Sequence, residues 1–466
     1  MSSLNSGAGN ASIPGRFYLA AWRWHFFAGL YVVPFLIMLA VTGLGMMYIS
    51  VFDGRDGEYV SVTVTGDPVS LSDQATAALT PFGTEAKVVE WIGAKATDRA
   101  TVFRVSEGDI NHMVAVDPYQ GTVIDSWNRR DGWYDLLNDI HGSLLIGTIG
   151  DRLIEIAAGL ALVLIVTGLY LWWPRKRTDK SYAPDLKASG RELWKSLHKV
   201  VGAYVALALL VFLVSGLSWA GIWGEKIVQA WSTFPAEKWS DVPLSDETHA
   251  AMNHGAIKDV PWGLEQTKMP ASGSGAGLEA IPAGMPVNLD TVAAFGRALG
   301  YESRFRISFP RGEKGVWTLN RDSMSNDSEN PMIDRTVHLD RYTGRILADV
   351  GFADYSLPAK GMAVGIAFHE GDMGLWNIVL NTVFCLSVIF LCISGLVMWW
   401  ARRPKGSALR VFAPKAPDDL PHWRGAMILM LALSLAFPLV GLTLLIALAL
   451  DYLVVKRVPA LRRAIG

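Results

Sequence analysis

Residues 197–217 read LHKVVGAYVALALLVFLVSGL, and residues 24–44 read WHFFAGLYVVPFLIMLAVTGL. The two stretches align without a gap, so that His25 meets His198, Gly29 meets Gly202, Tyr31 meets Tyr204 and Gly43 meets Gly216. Each is apolar for about the twenty residues that a helix needs to cross a bilayer, and each carries an ionisable side chain at its entry. A span that opens on a histidine and recurs within one chain points to a duplicated membrane architecture.

A second pair of segments extends the repeat. HGSLLIGTIGDRLIEIAAGLALVLIVTGLYLWWPR (141–175) and HEGDMGLWNIVLNTVFCLSVIFLCISGLVMWWARR (369–403) pair His141 with His369, Gly168 with Gly395 and Trp172-Trp173 with Trp399-Trp400. The stretches between spans repeat too. MVAVDPYQGTVI (113–124) and TVHLDRYTGRIL (336–347) each read as two strands around an Asp-x-x-x-Gly turn. Helical patterns precede them, SLSDQATAALTPF (70–82) and VNLDTVAAFGRALGY (287–301), with Ser72 and either Asn288 or Asp290 as N-caps. The expected fold is an α-helical membrane protein with α+β outer domains. It has two repeats of span, small outer domain and span, followed by a C-terminal apolar hairpin or span.

Composition agrees. With 51% apolar and 18% charged residues over 466 positions, the chain is too apolar for an ordinary soluble enzyme. A net charge of −1 argues against the basic face that a nucleic-acid partner requires. The two cysteines, Cys385 and Cys392, share one apolar run; they offer no disulfide framework and read as helix packing.

Lys and Arg collect after the second and fourth spans, in PRKRTDKSYAPDLKASGRELWKSLHK (174–199) and ARRPKGSALRVFAPK (401–415), whereas residues 51–140 and 224–368 lean acidic. The positive-inside rule then gives a cytoplasmic tail (1–23), a first span (24–50) and a first outer domain (51–140). A second span with a preceding interfacial segment (141–173), a cytoplasmic loop (174–197) and a third span (198–223) follow. Next come a second outer domain (224–368), a fourth span with its interfacial segment (369–400) and a cytoplasmic loop (401–422). The first run is too long for a signal-peptide core and reads as a retained anchor. The expected location is a bacterial inner membrane, with the outer domains in the periplasm. The last apolar stretch, 423–455, is broken by Pro438 and Gly441 and is basic on both flanks, so a hairpin turning at FPLVG (437–441) fits better than one span. A basic cytoplasmic tail, 456–466, follows it.

Eight of the nine histidines form two sets. His112, His249, His254 and His338 lie in the outer segments, where surface or internally satisfied positions explain them. The five-residue spacing of His249 and His254 does not put both on one helical face, which argues against metal binding there. His25, His141, His198 and His369 instead stand at the entries of the four spans, where an imidazole needs a partner. The topology puts His25 and His198 at the cytoplasmic side, and His141 and His369 at the periplasmic side. Two histidines per leaflet are what two haems with bis-imidazole ligation require.

Eighteen residues separate His25 from Gly43, and His198 from Gly216, which is about 27 Å of helix. Small residues therefore fall opposite each histidine pair, where they clear space for a flat macrocycle or pack helices. His141 lies 27 residues before Gly168, about 40 Å of unbroken helix. The chain must bend at Gly142, Gly147 or Gly150 to return this imidazole to the membrane, and HEGDMG (369–374) gives His369 the same freedom. His422 is a further histidine without a repeat mate. Arg23, Arg152 and Lys199 stand where they pair with haem propionates or snorkel to the interface. Glu155 reads as a proton-handling acid or as a solvated helix end.

Together these motifs resemble the PepSY-associated transmembrane family, through LHKVVGAYVALALLVFLVSGL, IHGSLLIGTIGDRLIEIAAGLALVLIVTGLYLWWPR and SGLVMWWARRP, with VDPYQGTVI and LDRYTGRIL marking PepSY-like outer domains. The resemblance covers nearly the whole chain. It implies two haem b groups with iron ligated by His25, His198, His141 and His369. It also implies transmembrane electron transfer that reduces a periplasmic ferric siderophore or other Fe(III) chelate and releases Fe(II). RWHFF around His25 departs from the more usual Leu-His, and MPASGSGAGLEAIPAGMP (269–286) reads as a flexible insert. No G-x-G-x-x-G follows a strand, so no nucleotide domain is resident, and the electron donor is a quinol or a separate cytoplasmic reductase. Two other classes stand beside this reading. One is a non-enzymatic accessory whose outer domains bind peptide, chelate or protein. The other is a chelate permease, which the lack of broken-helix pairs around a midplane site disfavours.

Overall fold

The computed structural model describes residues 13–174, 182–229, 239, 241–253, 260–302, 304–403, 411–414, 424–450, 453–454 and 457–458. His254 and His422 lie outside the described residues. In chain order the helices are α1 (Ile13–Phe52), α2 (Leu71–Ala78), α3 (Trp133–Ser143), α4 (Thr148–Trp172), α5 (Gly190–Leu217), α6 (Leu289–Ala298), α7 (Leu357–Glu370), α8 (Leu375–Arg402), α9 (Arg424–Ala436) and α10 (Pro438–Leu450). The strands are β1 (Lys87–Ile92), β2 (Thr101–Glu107), β3 (Ile110–Asp117), β4 (Thr122–Asn128), β5 (Leu244–Thr248), β6 (Lys268–Pro270), β7 (Arg306–Ser308), β8 (Val316–Arg321), β9 (Arg335–Asp340) and β10 (Ile346–Gly351). The chain divides into a helical unit, residues 1–41, 146–223 and 383–466, and an α+β unit, residues 42–145 and 224–382.

Among the described residues, α1, α4, α5 and α8 are long and apolar enough to cross a bilayer. The protein is therefore a multi-pass membrane protein. The third span was expected to reach Trp223, but α5 stops at Leu217. The reason is a competing acceptor. The Glu155 carboxylate takes the N–H groups of Ile222 and Trp223 at 3.2 and 3.0 Å, and Asp151 takes that of Gly221 at 3.3 Å. Glu155 is thus neither a solvated helix end nor an unpaired acid, but an internal cap for the turn after α5.

The terminal apolar stretch is two helices of 13 residues each, about 20 Å apiece and short of a ~30 Å hydrocarbon core. A Cβ on Gly441 would lie 2.9 Å from the Ser434 Cβ, seven residues earlier, a contact only a sharp bend at Phe437-Pro438 permits. Trp223 stacks on Phe437 at 5.4 Å and donates its indole N–H to the Ala436 carbonyl at 2.9 Å. Val440 packs onto α4 at Gly159, where a Cβ would meet its Cγ2 at 2.0 Å.

The α+β unit corrects one expectation. Two outer domains were expected, but eight of the ten strands among the described residues form one antiparallel sheet in the order β10-β9-β8-β7-β1-β2-β3-β4, and β5 pairs with β6 separately. The joint is β1 against β7, with Trp91 opposite Ile307. One apolar core then serves both halves: Phe103, Val105 and Val114 from one, Ile307, Leu319 and Val337 from the other, under Ala78 of α2 and Val292 of α6. The two Asp-x-x-x-Gly turns match. Gly121 and Gly344 have φ of 65° and 66°, and Asp117 and Asp340 each accept two N–H bonds from their own turn. A side chain would be strained there.

Two local expectations shift. The N-cap of α2 is Ser70 rather than Ser72, because Asp290 claims the Leu71 and Ser72 N–H groups at 2.6 and 3.2 Å. Asn288 caps α6 as expected, in a reciprocal pair with Thr291. The Gly-rich insert is tied down rather than loose. Leu278 bridges Ile346 through bonds of 2.9 and 2.8 Å, and Gly273 N–H reaches Asp340 at 2.7 Å.

The opposite face of the sheet buries charge. Arg104 pairs with Glu90 at 3.0 Å, Arg304 with Glu58 at 2.8 Å, and Arg306 with Asp56 at 3.1 Å and Asp327 at 3.3 Å. Such pairs stand where alternation along β2 and β7 turns side chains away from the apolar core.

The Gly159 contact makes a prediction. Gly159→Ala should lower the thermal unfolding midpoint of the detergent-purified protein by several degrees, in keeping with overpacking penalties of about 1–3 kcal/mol. Val440→Ala added to it should recover most of the loss; an unchanged midpoint for the single variant contradicts the packing.

Candidate functional site

In the helical unit, His25 of α1 and His198 of α5 face each other with ring centroids 6.4 Å apart and planes at 88°. Each ring is tied from behind. His25 Nδ1 lies 3.0 Å from Thr167 Oγ1 of α4, and His198 Nδ1 lies 2.8 Å from Ser394 Oγ of α8. Both hydroxyls already donate to their own helices, Thr167 to the Val163 carbonyl at 2.6 Å and Ser394 to that of Leu391 at 3.0 Å. A hydroxyl whose hydrogen is committed can only accept, so each Nδ1 carries the proton and each Nε2 keeps its lone pair. The glycine after each hydroxyl clears the ring. A Cβ would stand 3.1 Å from His25 Cε1 at Gly168, and 3.8 Å from His198 Cε1 at Gly395.

In the α+β unit the second pair repeats these values: His141 and His369 have ring centroids 6.4 Å apart and planes at 88°. His141 Nδ1 lies 2.8 Å from Thr42 Oγ1, and a Cβ at Gly43 would lie 3.6 Å from His141 Cε1. The sequence demanded a bend after His141, and one exists. α3 ends in left-handed Leu144 and Leu145, φ 53° and 61°, and Gly147 at φ 59° precedes α4. α7 ends likewise at Gly371, φ 90°, with Gly374 at φ 87° before α8. His141 and His369 therefore sit on short helices of their own.

The end of α7 is held by two buried amides. Asn377 donates to the Phe368 carbonyl at 3.0 Å, while Asn381 donates to those of Phe368 and His369 at 2.8 and 3.2 Å. The adjoining acids belong to a cluster around Arg55, which reaches Asp372 at 2.6 Å, Glu370 at 3.3 Å and the Tyr134 hydroxyl at 3.3 Å. Burial and the Asp372 carboxylate push Glu370 above the usual carboxylate range, and Arg55 opposes them.

Other candidates fall elsewhere. Arg152 is committed to Asp151 at 2.5 Å and Glu155 at 3.5 Å, and Arg23 donates to the Pro414 carbonyl at 2.6 Å. His249 joins His338 in a buried pair, Nε2 to Nε2 2.9 Å. Its Nδ1 donates to the Thr267 carbonyl at 2.7 Å, and Thr318 completes the chain at 2.9 Å from His338 Nδ1. Burial lowers His249 to about 4 and His338 well below its ordinary value, so both are neutral and structural. Sequence reading missed this pair and the asparagine clamp, because neither has a local spacing signal.

Among the described residues, no three or more His, Cys, Asp or Glu side chains converge as a metal site. Each histidine pair brings two imidazoles together. A family described as PepSY-associated TM region matches residues 22–402, a range that contains all four histidines. No curated protein matches the chain.

The clamp on α7 is testable. Asn381→Leu leaves buried carbonyls unpaired, a penalty of about 1–3 kcal/mol. It should lower the unfolding midpoint and speed amide exchange over residues 366–371; unchanged exchange there rules the clamp out.

Proposed function

The chain belongs to the PepSY-associated transmembrane family, and from that premise we propose that it is a dihaem oxidoreductase of a bacterial inner membrane, passing electrons across the bilayer to reduce a periplasmic ferric chelate. The observation that carries this reading is the equality of the two histidine pairs, each at 6.4 Å and 88°. Two metal–imidazole bonds of about 2.0–2.1 Å, each extended by about 1.1 Å to the ring centre, sum to about 6.3 Å. The pairs therefore fit bis-imidazole ligation of one iron each.

In this reading His25 and His198 hold one haem b and His141 and His369 the other. A bound haem supplies reversible one-electron storage at each pair. The remaining work belongs to the chain. Thr167 and Ser394 fix the Nδ1 protons of His25 and His198, so that Nε2 would be the ligand atom and the imidazole would gain basicity, and Thr42 meets His141 at the same nitrogen. Gly43, Gly168 and Gly395 keep helix backbone close to the ring edges without a side chain between. The apolar helices that carry His25 and His198 would exclude water there and give that site low-dielectric surroundings, which tune a redox centre.

The basic connections at 174–199 and 401–415 support an orientation with the His25–His198 end at the cytoplasm. Electrons then enter from a quinol or a separate cytoplasmic reductase and leave to a ferric siderophore or similar chelate, whose reduction releases Fe(II). The duplicated span–domain–span plan belongs to the same proposal; the mirrored strand order about β1 and β7 supports it.

A reduced-minus-oxidised absorbance spectrum of the purified full chain should show b-type bands. His25→Ala and His198→Ala should each abolish the same haem, and His141→Ala and His369→Ala the other. A chain without a b-type band, or haem losses that do not pair this way, overturns the proposal and leaves a binding or anchoring role.

A further inference from the structure

The loop between β8 and β9, residues 322–334, reads DSMSNDSENPMID and carries four acids. Asp327 is consumed by Arg304 and Arg306, at 3.4 and 3.3 Å. Asp322 and Asp334 are different. They are 1% and 5% exposed, and among the described residues neither forms an ion pair. The donors that hydrogen-bond their oxygens are neutral, while the Arg306 guanidinium, which pairs with Asp327, acts on Asp322 from beyond ion-pair distance. Ser325 N–H and Asn320 Nδ2 reach Asp322 at 2.7 and 2.5 Å, while Ser323 N–H and Oγ reach Asp334 at 2.9 and 3.1 Å.

Both carboxylates line one small cavity, together with Ser323, Tyr355, Trp262 and Ile366. Tyr355 is 4% exposed, yet among the described residues its hydroxyl has no hydrogen-bond partner. An unpaired buried hydroxyl carries a desolvation penalty unless something in the cavity meets it. Burial, and then Asp334 and Asp322, push this phenol well above its usual range, which sets its oxygen in the field of both acids. Two buried carboxylates that share a space repel each other unless a positive charge lies with them.

We propose that this cavity is a site for one small exchangeable cation, held by Asp322, Asp334 and the Tyr355 hydroxyl, whose source is either a proton carried with water or a monovalent metal ion. The site lies in the α+β unit, uses none of the four histidines and does not rest on the haem reading. Its size admits a particle no larger than about a water molecule or two. A phenol oxygen with a free lone pair suits either source: it coordinates a metal ion, or accepts from a proton-bearing water while donating to a carboxylate.

The two sources differ in their pH behaviour. Burial and the Asp322 carboxylate push Asp334 up to about 8, against about 4 for a free aspartate. The folded chain then holds a proton that the unfolded chain has released, so stability declines as pH rises from about 4 to about 8 and levels off above. The test is the thermal unfolding midpoint of the full chain in detergent, from about pH 5 to 9, in choline, sodium or potassium chloride at one ionic strength. A proton source gives a midpoint that falls by several degrees toward pH 8 whatever the salt, a slope that Asp334→Asn flattens. A metal-ion source gives a higher midpoint in sodium or potassium than in choline above pH 8, a difference lost in Asp322→Asn and Asp334→Asn. If Asp334→Asn runs parallel to the parent chain and neither responds to the cation, the proposal is wrong. Should the aspartate variants not fold, Tyr355→Phe decides: altered pH or cation dependence supports the site, and unaltered dependence overturns it.

Discussion

The contact on which the candidate site depends is a hydroxyl behind an imidazole. Thr167 and Ser394 give their hydrogens to carbonyls of their own helices, and this leaves only oxygen lone pairs for His25 and His198. The direction of the bond then fixes the tautomer, and with Nδ1 carrying the proton each Nε2 keeps its lone pair. The residue after the hydroxyl matters equally. In Thr42-Gly43, Thr167-Gly168 and Ser394-Gly395 the hydroxyl pins Nδ1 while the glycine lets the ring edge approach, with Cβ positions 3.1–3.8 Å from Cε1. A side chain at the glycine would push the ring off the hydroxyl that orients it. Helix packing and ring orientation are therefore one constraint read twice, which is why the two accounts of these small residues do not compete.

What the sequence exposes and what it hides follow from range. The four histidines, the glycines opposite them and the bend after His141 were legible because helix rise turns spacing into distance along a single element. The end of α5 was not, since Glu155 reaches N–H groups 67 and 68 residues away, where apolar periodicity carries no trace of a competing acceptor. The β1–β7 joint was hidden for a similar reason. β7 is three residues long, and strand order is decided by the shared core of Trp91, Phe305 and Ile307 rather than by a turn signal. Asp290 shows the same effect in small: a residue plausible as a cap for its own helix serves the start of α2, more than two hundred residues earlier. The His249–His338 pair joins a short helical turn to a central strand, and each histidine alone reads as an ordinary satisfied residue.

The fused sheet also explains where polar residues could be placed. Its apolar face is covered by α2 and α6, so the alternate positions of β2 and β7 turn Arg104 and Arg306 to the other side, where burial requires partners. Glu58 and Asp56, just past the end of α1, supply them to Arg304 and Arg306. Exchanging such pairs for apolar residues is often neutral for stability, whereas losing one partner is not. Their consequence is register: a slip of one residue along β7 would turn Arg306 into the apolar core and Ile307 into the charged face.

The two histidine pairs reach the same separation and the same ring angle by different routes. His25 and His198 lie within long helices, whereas His141 and His369 lie near the ends of α3 and α7. The second route is costly. Leu144 and Leu145 occupy the left-handed region, at about 1–2 kcal/mol each for residues other than glycine, and α7 needs Asn377 and Asn381 to satisfy carbonyls that its abrupt end exposes. A fold selected only for compactness has no reason to keep two adjacent leucines in that conformation when glycine stands two residues away. Strain of this kind persists where the surrounding structure over-determines it, and it gathers at sites with a task. Here it falls three residues after His141, at the end of the short helix that carries the imidazole. The matching of 6.4 Å and 88° across two unlike scaffolds therefore places the constraint at the rings themselves, and makes the helices that carry them the adjustable part.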